Sequence, residues 1–192
     1  MLTLYMSPGS SSMATHIALH EIGLPFEPRW LSFVKREQHT PEYLAINPDG
    51  KVPTLVIDGR ALTEVAATLY YLAKSHPEAG LWPQGGIEVE AQAISWMSFI
   101  AATVHPARRA GNERWREVFA LTEKKWGGRE WAVGQYSIAD IHLFRLFWRF
   151  FTTLKPDPAA YPGLHAHYRR MMARPAVQRT LEIEAGIGYQ LP

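Results

Sequence analysis

Three short stretches near the start of the chain hold residue types that do chemistry. The first is Pro8-Gly9-Ser10-Ser11-Ser12, set between a short apolar run and a helical one. A turn that feeds a helix N-terminus supplies unpaired amides and the positive end of a dipole, and hydroxyls placed there donate to an anion. One serine is enough to cap a helix, which leaves two of the three without a local task. The second stretch is Asn47-Pro48-Asp49-Gly50-Lys51-Val52-Pro53-Thr54. Asn-Pro and Asp-Gly mark a tight turn, and Val52-Pro53 then opens a strand. Proline gives up one ladder donor, is compatible with a cis bond, and leaves the Val52 backbone able to pair with an extended peptide. An ordinary entry into a strand reads the same way. The third is Thr63-Glu64-Val65, where a helix start again offers amides to a carboxylate and Glu64 can take an ammonium. A first-turn glutamate that merely complements the dipole is the plainer alternative. The three stretches fall at loops on one end of a small sheet, a setting for a short peptide carrying a thiol, an ammonium and carboxylates.

The elements that must position them are readable from periodicity. Leu2–Tyr5 is a strand stopped by Ser7-Pro8-Gly9, and Met13–Ile22 is a helix with Gly23 just past its end. Phe26–Phe33 reads as a second strand whose Pro28 favours an edge. Pro41–Ala45 suggests a short helix. Thr54–Ile57 and Arg60–Thr63 flank Asp58-Gly59 and form a hairpin. Val65, Leu69 and Leu72 mark a helix. The order βαβ, α, ββα implies a mixed sheet, with the first unit paired in parallel. His76–Gly86 is a linker by its Pro and Gly content. Everything after it reads helical: Glu88–Val104, Glu113–Trp126, Ser137–Thr153, Leu164–Ala173 and Ala176–Ala185. Ser137 with Asp140 three residues on is a capping box, and Tyr136 with Ile141 occupies staple positions. The expected domains are 1–76, α/β with a four-stranded mixed sheet, and 87–192, all-helical, joined by 77–86. The aromatic residues Trp96, Phe99, Trp115, Phe119, Phe147 and Trp148 at helical spacing read as core, with an apolar site as the alternative.

Composition narrows the chemistry. The 192 residues are 47% apolar and 20% charged, enough to bury a core. A net charge of +2 is too balanced to imply nucleic acid or an anionic membrane. No cysteine is present, which removes disulfides, thiolate metal sites and any protein-borne thiol nucleophile. The opening residues lack a basic segment followed by an apolar run, and no stretch approaches a membrane span, so a cytoplasmic protein is expected.

The segments LYMSPGSSSMATHIALHEIGLPFE, NPDGKVPTL, LTEVAATLYYLA, YSIADIHLF and YPGLHAHYRRMMARPAVQRTL, in this order, resemble the cytosolic glutathione transferases. Within them they are nearest the bacterial beta class, with serine where that class has cysteine. The resemblance runs from Leu2 to about Leu181. It implies a thioredoxin-like first domain, a helical second domain, a homodimer, and glutathione as co-substrate without a metal. It implies a cis Val52-Pro53 bond whose backbone pairs with the cysteinyl unit of glutathione. Glu64 and the Val65 amide would hold the γ-glutamyl end, and Lys35 and Lys51 fall near the glycyl carboxylate. Ser10 takes the hydroxyl-donor place of the serine-type classes, and Ser11 the cysteine place of the beta class. His105 resembles the beta-class histidine near the catalytic loop, although a helix-terminal histidine is an equal alternative. Tyr5 falls at the tyrosine-type position and is read as structural.

Two departures stand out. Val65 replaces a frequent serine, which removes one side-chain bond to the γ-glutamyl carboxylate. The stretch from His105 to Gly134, which in the family builds the wall of the electrophile pocket, is short, so a shallower second site is expected. The leading expectation is conjugation of glutathione to a small hydrophobic electrophile. Alternatives are a glutathione-dependent isomerase or dehalogenase, or a non-catalytic binding protein on the same fold.

Overall fold

A computed structural model describes residues 1–189. The chain groups into two compact units: Met1–Ala79 together with the chain from Pro175 onward, and Gly80–Arg174.

In the first unit, strands β1 (Leu2–Met6), β2 (Glu27–Trp30), β3 (Thr54–Ile57) and β4 (Arg60–Thr63) form one sheet in the order β2-β1-β3-β4. β1 and β2 pair in parallel; β3 pairs antiparallel with both β1 and β4. Pro28 does lie on an edge strand, where its missing N–H is harmless. Helix α1 (Ser12–Ile22) makes the crossover from β1 to β2, buried over Ser12–Leu19 and closed by Gly23 at φ 75°. The short α2 (Pro41–Leu44) precedes β3, and α3 (Val65–Ser75) follows β4 with Val65, Leu69 and Leu72 buried. The hairpin turns through Asp58 and Gly59, both at positive φ, as a two-residue connection demands.

The last helix, α9 (Pro175–Ile187), also belongs to this unit and packs on α1. Periodicity identifies it as a helix, but cannot say which sheet or bundle its apolar stripe will meet.

In the second unit, α4 (Ile87–Phe99) does not run on as one regular helix to Val104. It widens into a π-helical stretch, Ile100–Val104, before a short α5 (His105–Ala107). Pro106 supplies the reason, since its ring cannot sit in a regular turn against the carbonyl four residues back. α6 (Asn112–Trp126), α7 (Ile138–Leu154) and α8 (Pro162–Met172) complete the unit. α7 is capped as the sequence suggests. Ser137 Oγ accepts from the Ala139 amide at 3.3 Å, and Asp140 Oδ2 accepts from the Ser137 amide at 3.0 Å. Asp140 Oδ1 also takes the Ala132 amide at 2.9 Å, so one fully buried carboxylate ties the incoming loop to the helix. Tyr136 lies against Trp131 and beneath the Arg174 guanidinium.

Five of the six aromatic residues form core, while Phe99 is only half-buried. Phe119 stacks on Phe150 at 4.3 Å, and Trp96, Trp115, Phe147 and Trp148 are buried. At Gly163 a Cβ would come within 2.6 Å of Trp126, so glycine alone allows α6 and α8 to approach there. Among the described residues no helix is long and apolar enough to cross a membrane.

Candidate thiol-peptide site

The three serines divide their labour. Ser12 Oγ accepts from the Ser7 amide at 3.1 Å and donates back to the Ser7 carbonyl at 3.2 Å. That uses its only proton, so across the 2.7 Å between Ser10 Oγ and Ser12 Oγ it is Ser10 that donates. Ser10 Oγ also accepts from the Ser12 amide at 3.2 Å, which is the local capping bond. Both hydroxyls are buried inside the turn. Ser11 differs. It is the N-cap residue just before α1, its side chain makes no capping bond, and it is only half-buried. Its Oγ donates to the Val52 carbonyl at 2.8 Å. Two stretches singled out in the sequence, forty-one residues apart, thus meet through one hydroxyl.

The second stretch is rigid for reasons of its own. Asn47 Oδ1 accepts from the Asp49 amide at 3.1 Å, and Asn47 Nδ2 donates to the Lys51 carbonyl at 2.8 Å and to Thr54 Oγ1 at 3.0 Å. The Tyr43 hydroxyl donates to the Lys51 carbonyl as well and lies 2.8 Å from Thr54 Oγ1. Burial raises the Tyr43 pKa, which keeps the hydroxyl a donor. Gly50 sits at φ 60°, and a Cβ there would come within 2.7 Å of His39 Nδ1. These bonds deliver Val52 and Pro53, joined by a cis bond, to the start of β3. Tyr5 packs against the Tyr43 ring at 5.3 Å, in keeping with a structural role.

Thr54 pairs with Thr63 across β3 and β4, so the register brings Glu64 to the same end of the sheet as Val52 and Pro53. Glu64 is exposed and holds φ 66°, ψ 129°, a conformation costly for any side-chain-bearing residue. Its carbonyl still opens α3 by accepting from the Thr68 amide at 3.0 Å. Val65, next to it, is buried at the first turn. Lys51 is exposed beside Val52, and Lys35 is exposed in the connection after β2, with its amide bonded to Ser32 Oγ. His105 belongs to the helical unit, half-buried at the start of α5.

One residue of the loop's support lay beyond sequence reasoning. Glu184 on α9 is fully buried; its Oε2 accepts from the Gly9 amide at 2.6 Å and its Oε1 lies 2.9 Å from His16 Nδ1. His16 packs in turn on His20 at 4.6 Å, and His20 Nδ1 reaches Thr180 Oγ1 at 2.9 Å. Burial first, and then His16 and Arg179, push the His20 pKa down to about 4. The only signal in the sequence is an acidic residue on the apolar side of the last helix, with nothing to name its partner 175 residues away. Among the described residues no cluster of side chains has the make-up of a metal site.

Comparison with known proteins identifies the family. Residues 10–75 match the family described as glutathione S-transferase, N-terminal domain, and residues 68–175 match glutathione S-transferase, C-terminal domain. Glutathione S-transferase GST-4.5 of Xanthomonas campestris pv. campestris is 31% identical, over 95% of this chain and 98% of that protein. Among solved structures, a glutathione transferase homologue from Sulfitobacter with bound glutathione is 33% identical with a TM-score of 0.88, covering 95% of this chain and 98% of its own. A bacterial beta class glutathione S-transferase from Sphingomonas chungbukensis is likewise 33% identical, with a TM-score of 0.84 and the same coverage.

Proposed function

We propose, on the premise that this chain belongs to the glutathione S-transferase family, that its Ser11 hydroxyl stabilises the glutathione thiolate for attack on a small electrophile with an apolar body. The observation that carries this reading is the Ser11–Val52 hydrogen bond of 2.8 Å. It puts a hydroxyl at the N-terminus of α1 beside the backbone that would pair with the cysteinyl unit. Ser11 donates to the very carbonyl that a cysteinyl N–H would need, and a hydroxyl rotor can turn from that carbonyl to a sulfur. Ser10, whose proton is engaged inside the turn, shapes the loop. Glu64 and the Val65 amide would hold the γ-glutamyl ammonium and carboxylate; Lys35 and Lys51 would face the glycyl carboxylate. The active species is a homodimer.

A free thiol with a pKa of about 8.5 is only a few per cent thiolate at pH 7. Bringing it down by ~2 units takes about 2.7 kcal/mol. One hydrogen bond to a charged sulfur plus a helix dipole is of that size. The thiol proton leaves to solvent, the sulfur–carbon bond forms, and the electrophile's leaving group departs with its electron pair.

The test is the pH dependence of kcat/KM with a chlorodinitrobenzene. Ser11→Ala is expected to raise the thiol's kinetic pKa by about 1–2 units, with Ser10→Ala showing a smaller shift. An unchanged profile for Ser11→Ala would remove the serine-donor mechanism.

A further inference from the structure

The connection from α6 to α7 turns sharply and then folds back on α6. Gly127 closes α6 at φ 60°, and Gly128 follows at φ 72°. Arg129 reaches back, its Nη1 donating to the Lys125 and Trp126 carbonyls at 2.6 Å each. Two carbonyls that the end of α6 would leave open are thereby satisfied, and the guanidinium is fixed. The turn after it is held as well. Asp140 takes the Ala132 amide, and the Gly134 amide donates to the Trp131 carbonyl at 3.1 Å. The Gln135 side chain exchanges two bonds with the Gln84 backbone, at 3.0 and 2.6 Å.

Between this connection and α4 lies a cavity of about 500 Å³, a size at which small-molecule sites are built. Its whole lining belongs to the helical unit. Val89, Trp96 and Val133 make it apolar, while Gln92, Lys125 and Arg129 supply polar groups. The Trp96 indole is fixed edge-on to Phe99 and to Trp126, each at 6.0 Å. Lys125 Nζ lies over the Trp96 ring at 5.0 Å and over the Phe99 ring at 5.4 Å, which localises the ammonium beside the cavity. Among the described residues neither Lys125 nor Arg129 pairs with a carboxylate. Only Nη1 of Arg129 is engaged, which leaves Nη2 and Nε to donate. Every charged side chain in the lining is thus positive. Capping explains where Arg129 sits and the two rings explain where Lys125 sits, but neither requires an apolar cavity beside them. Because the walls are fixed, a ligand entering it loses little to ordering them.

We propose that this cavity binds a small aromatic carboxylate, its acid group held by Lys125 and Arg129 and its ring against Trp96, Val89 and Val133. Guanidinium and ammonium donors favour a carboxylate over a neutral group, and the apolar lining favours a ring over an acid without one. The inference stands apart from the transferase reading, because no residue assigned to glutathione takes part and no bond is made or broken.

The experiment is calorimetric titration of the full chain with 2-naphthoate and with the uncharged 2-naphthamide. The wild type is expected to bind naphthoate roughly tenfold more tightly than the amide, and less so as salt is added. Lys125→Gln should weaken naphthoate about 5- to 10-fold and leave the amide unchanged. Gln92→Trp, a substitution at an exposed position, fills the cavity and should weaken both compounds roughly tenfold or more. Circular dichroism checks that each variant is folded, and Lys125→Gln, also at an exposed position, keeps the test decisive if Gln92→Trp does not fold. Saturating S-methylglutathione should leave naphthoate affinity unaltered; displacement of naphthoate would place it in the thiol site and overturn the proposal. No binding by the wild type, naphthamide bound as tightly as naphthoate, or unchanged naphthoate affinity in either folded variant overturns it as well.

Discussion

At the scale of single residues, Glu64 carries backbone strain. It is an exposed side chain held at φ 66°, where glycine would be at ease. Glu64→Gly should therefore raise the melting temperature, by about 1 kcal/mol of relieved strain, while glutathione binding followed by calorimetry weakens at least tenfold. If binding survives the change, Glu64 does not hold the γ-glutamyl end. The buried histidines give a pH prediction. His20 and His142 have folded-state pKa values of about 4 and about 3, below the ordinary value of 6.5. The unfolded chain therefore takes up these protons first as pH falls. Stability from both groups is complete above about pH 6.5 and is lost progressively toward pH 4. Melting temperature measured from pH 7.5 to 4.5 should fall, and His20→Gln should flatten the slope. A parallel slope in that variant would locate the acid sensitivity elsewhere.

At the scale of elements, two buried carboxylates each tie a loop to a helix. Asp140 satisfies the amides of Ala132 and Ser137, and Asp140→Ala leaves both donors buried and unpaired. A loss of about 3 kcal/mol is expected from denaturant titration, against about 1 kcal/mol for Ser137→Ala, which removes the cap and one hydroxyl bond to a carboxylate that keeps both its amide partners. This pair was legible beforehand because a capping box is local: both partners lie within one turn, so spacing alone reports the contact. Glu184 does the corresponding work for the serine turn, yet its partners Gly9 and His16 come from the other end of the chain. Glu184→Gln keeps the shape and one acceptor oxygen but presents a neutral amide to His16. It should lower stability by about 2–4 kcal/mol and raise KM for glutathione through a looser Ser10–Ser12 turn. Unaltered KM in a folded variant would make Glu184 a stability residue only.

At the scale of the whole molecule, each unit leaves apolar side chains in water: Tyr70 in one, and Ile87 and Ile94 on the same helix in the other. A second copy of the chain is the expected cover. Light scattering should give twice the monomer mass, and Ile94→Glu should halve it. The return of α9 to the first unit carries a prediction of its own. A chain ending at Arg174 loses Glu184 and α9, and its first unit should unfold separately and earlier in a thermal scan. What the sequence determined unaided is whatever is encoded within a few residues. The strands and their parallel and antiparallel pairing follow from alternation, turns and the βαβ order, and the cap of α7 from Ser137 and Asp140. The serine turn, the Val52-Pro53 entry and the Glu64 junction were likewise visible as motifs. The tertiary structure alone decided which serine turns outward, because three identical side chains differ only in what surrounds them. It alone placed α9 and paired Glu184 with Gly9. Contacts between distant segments depend on which faces meet, and a helical stripe records only that it will be buried, not against what.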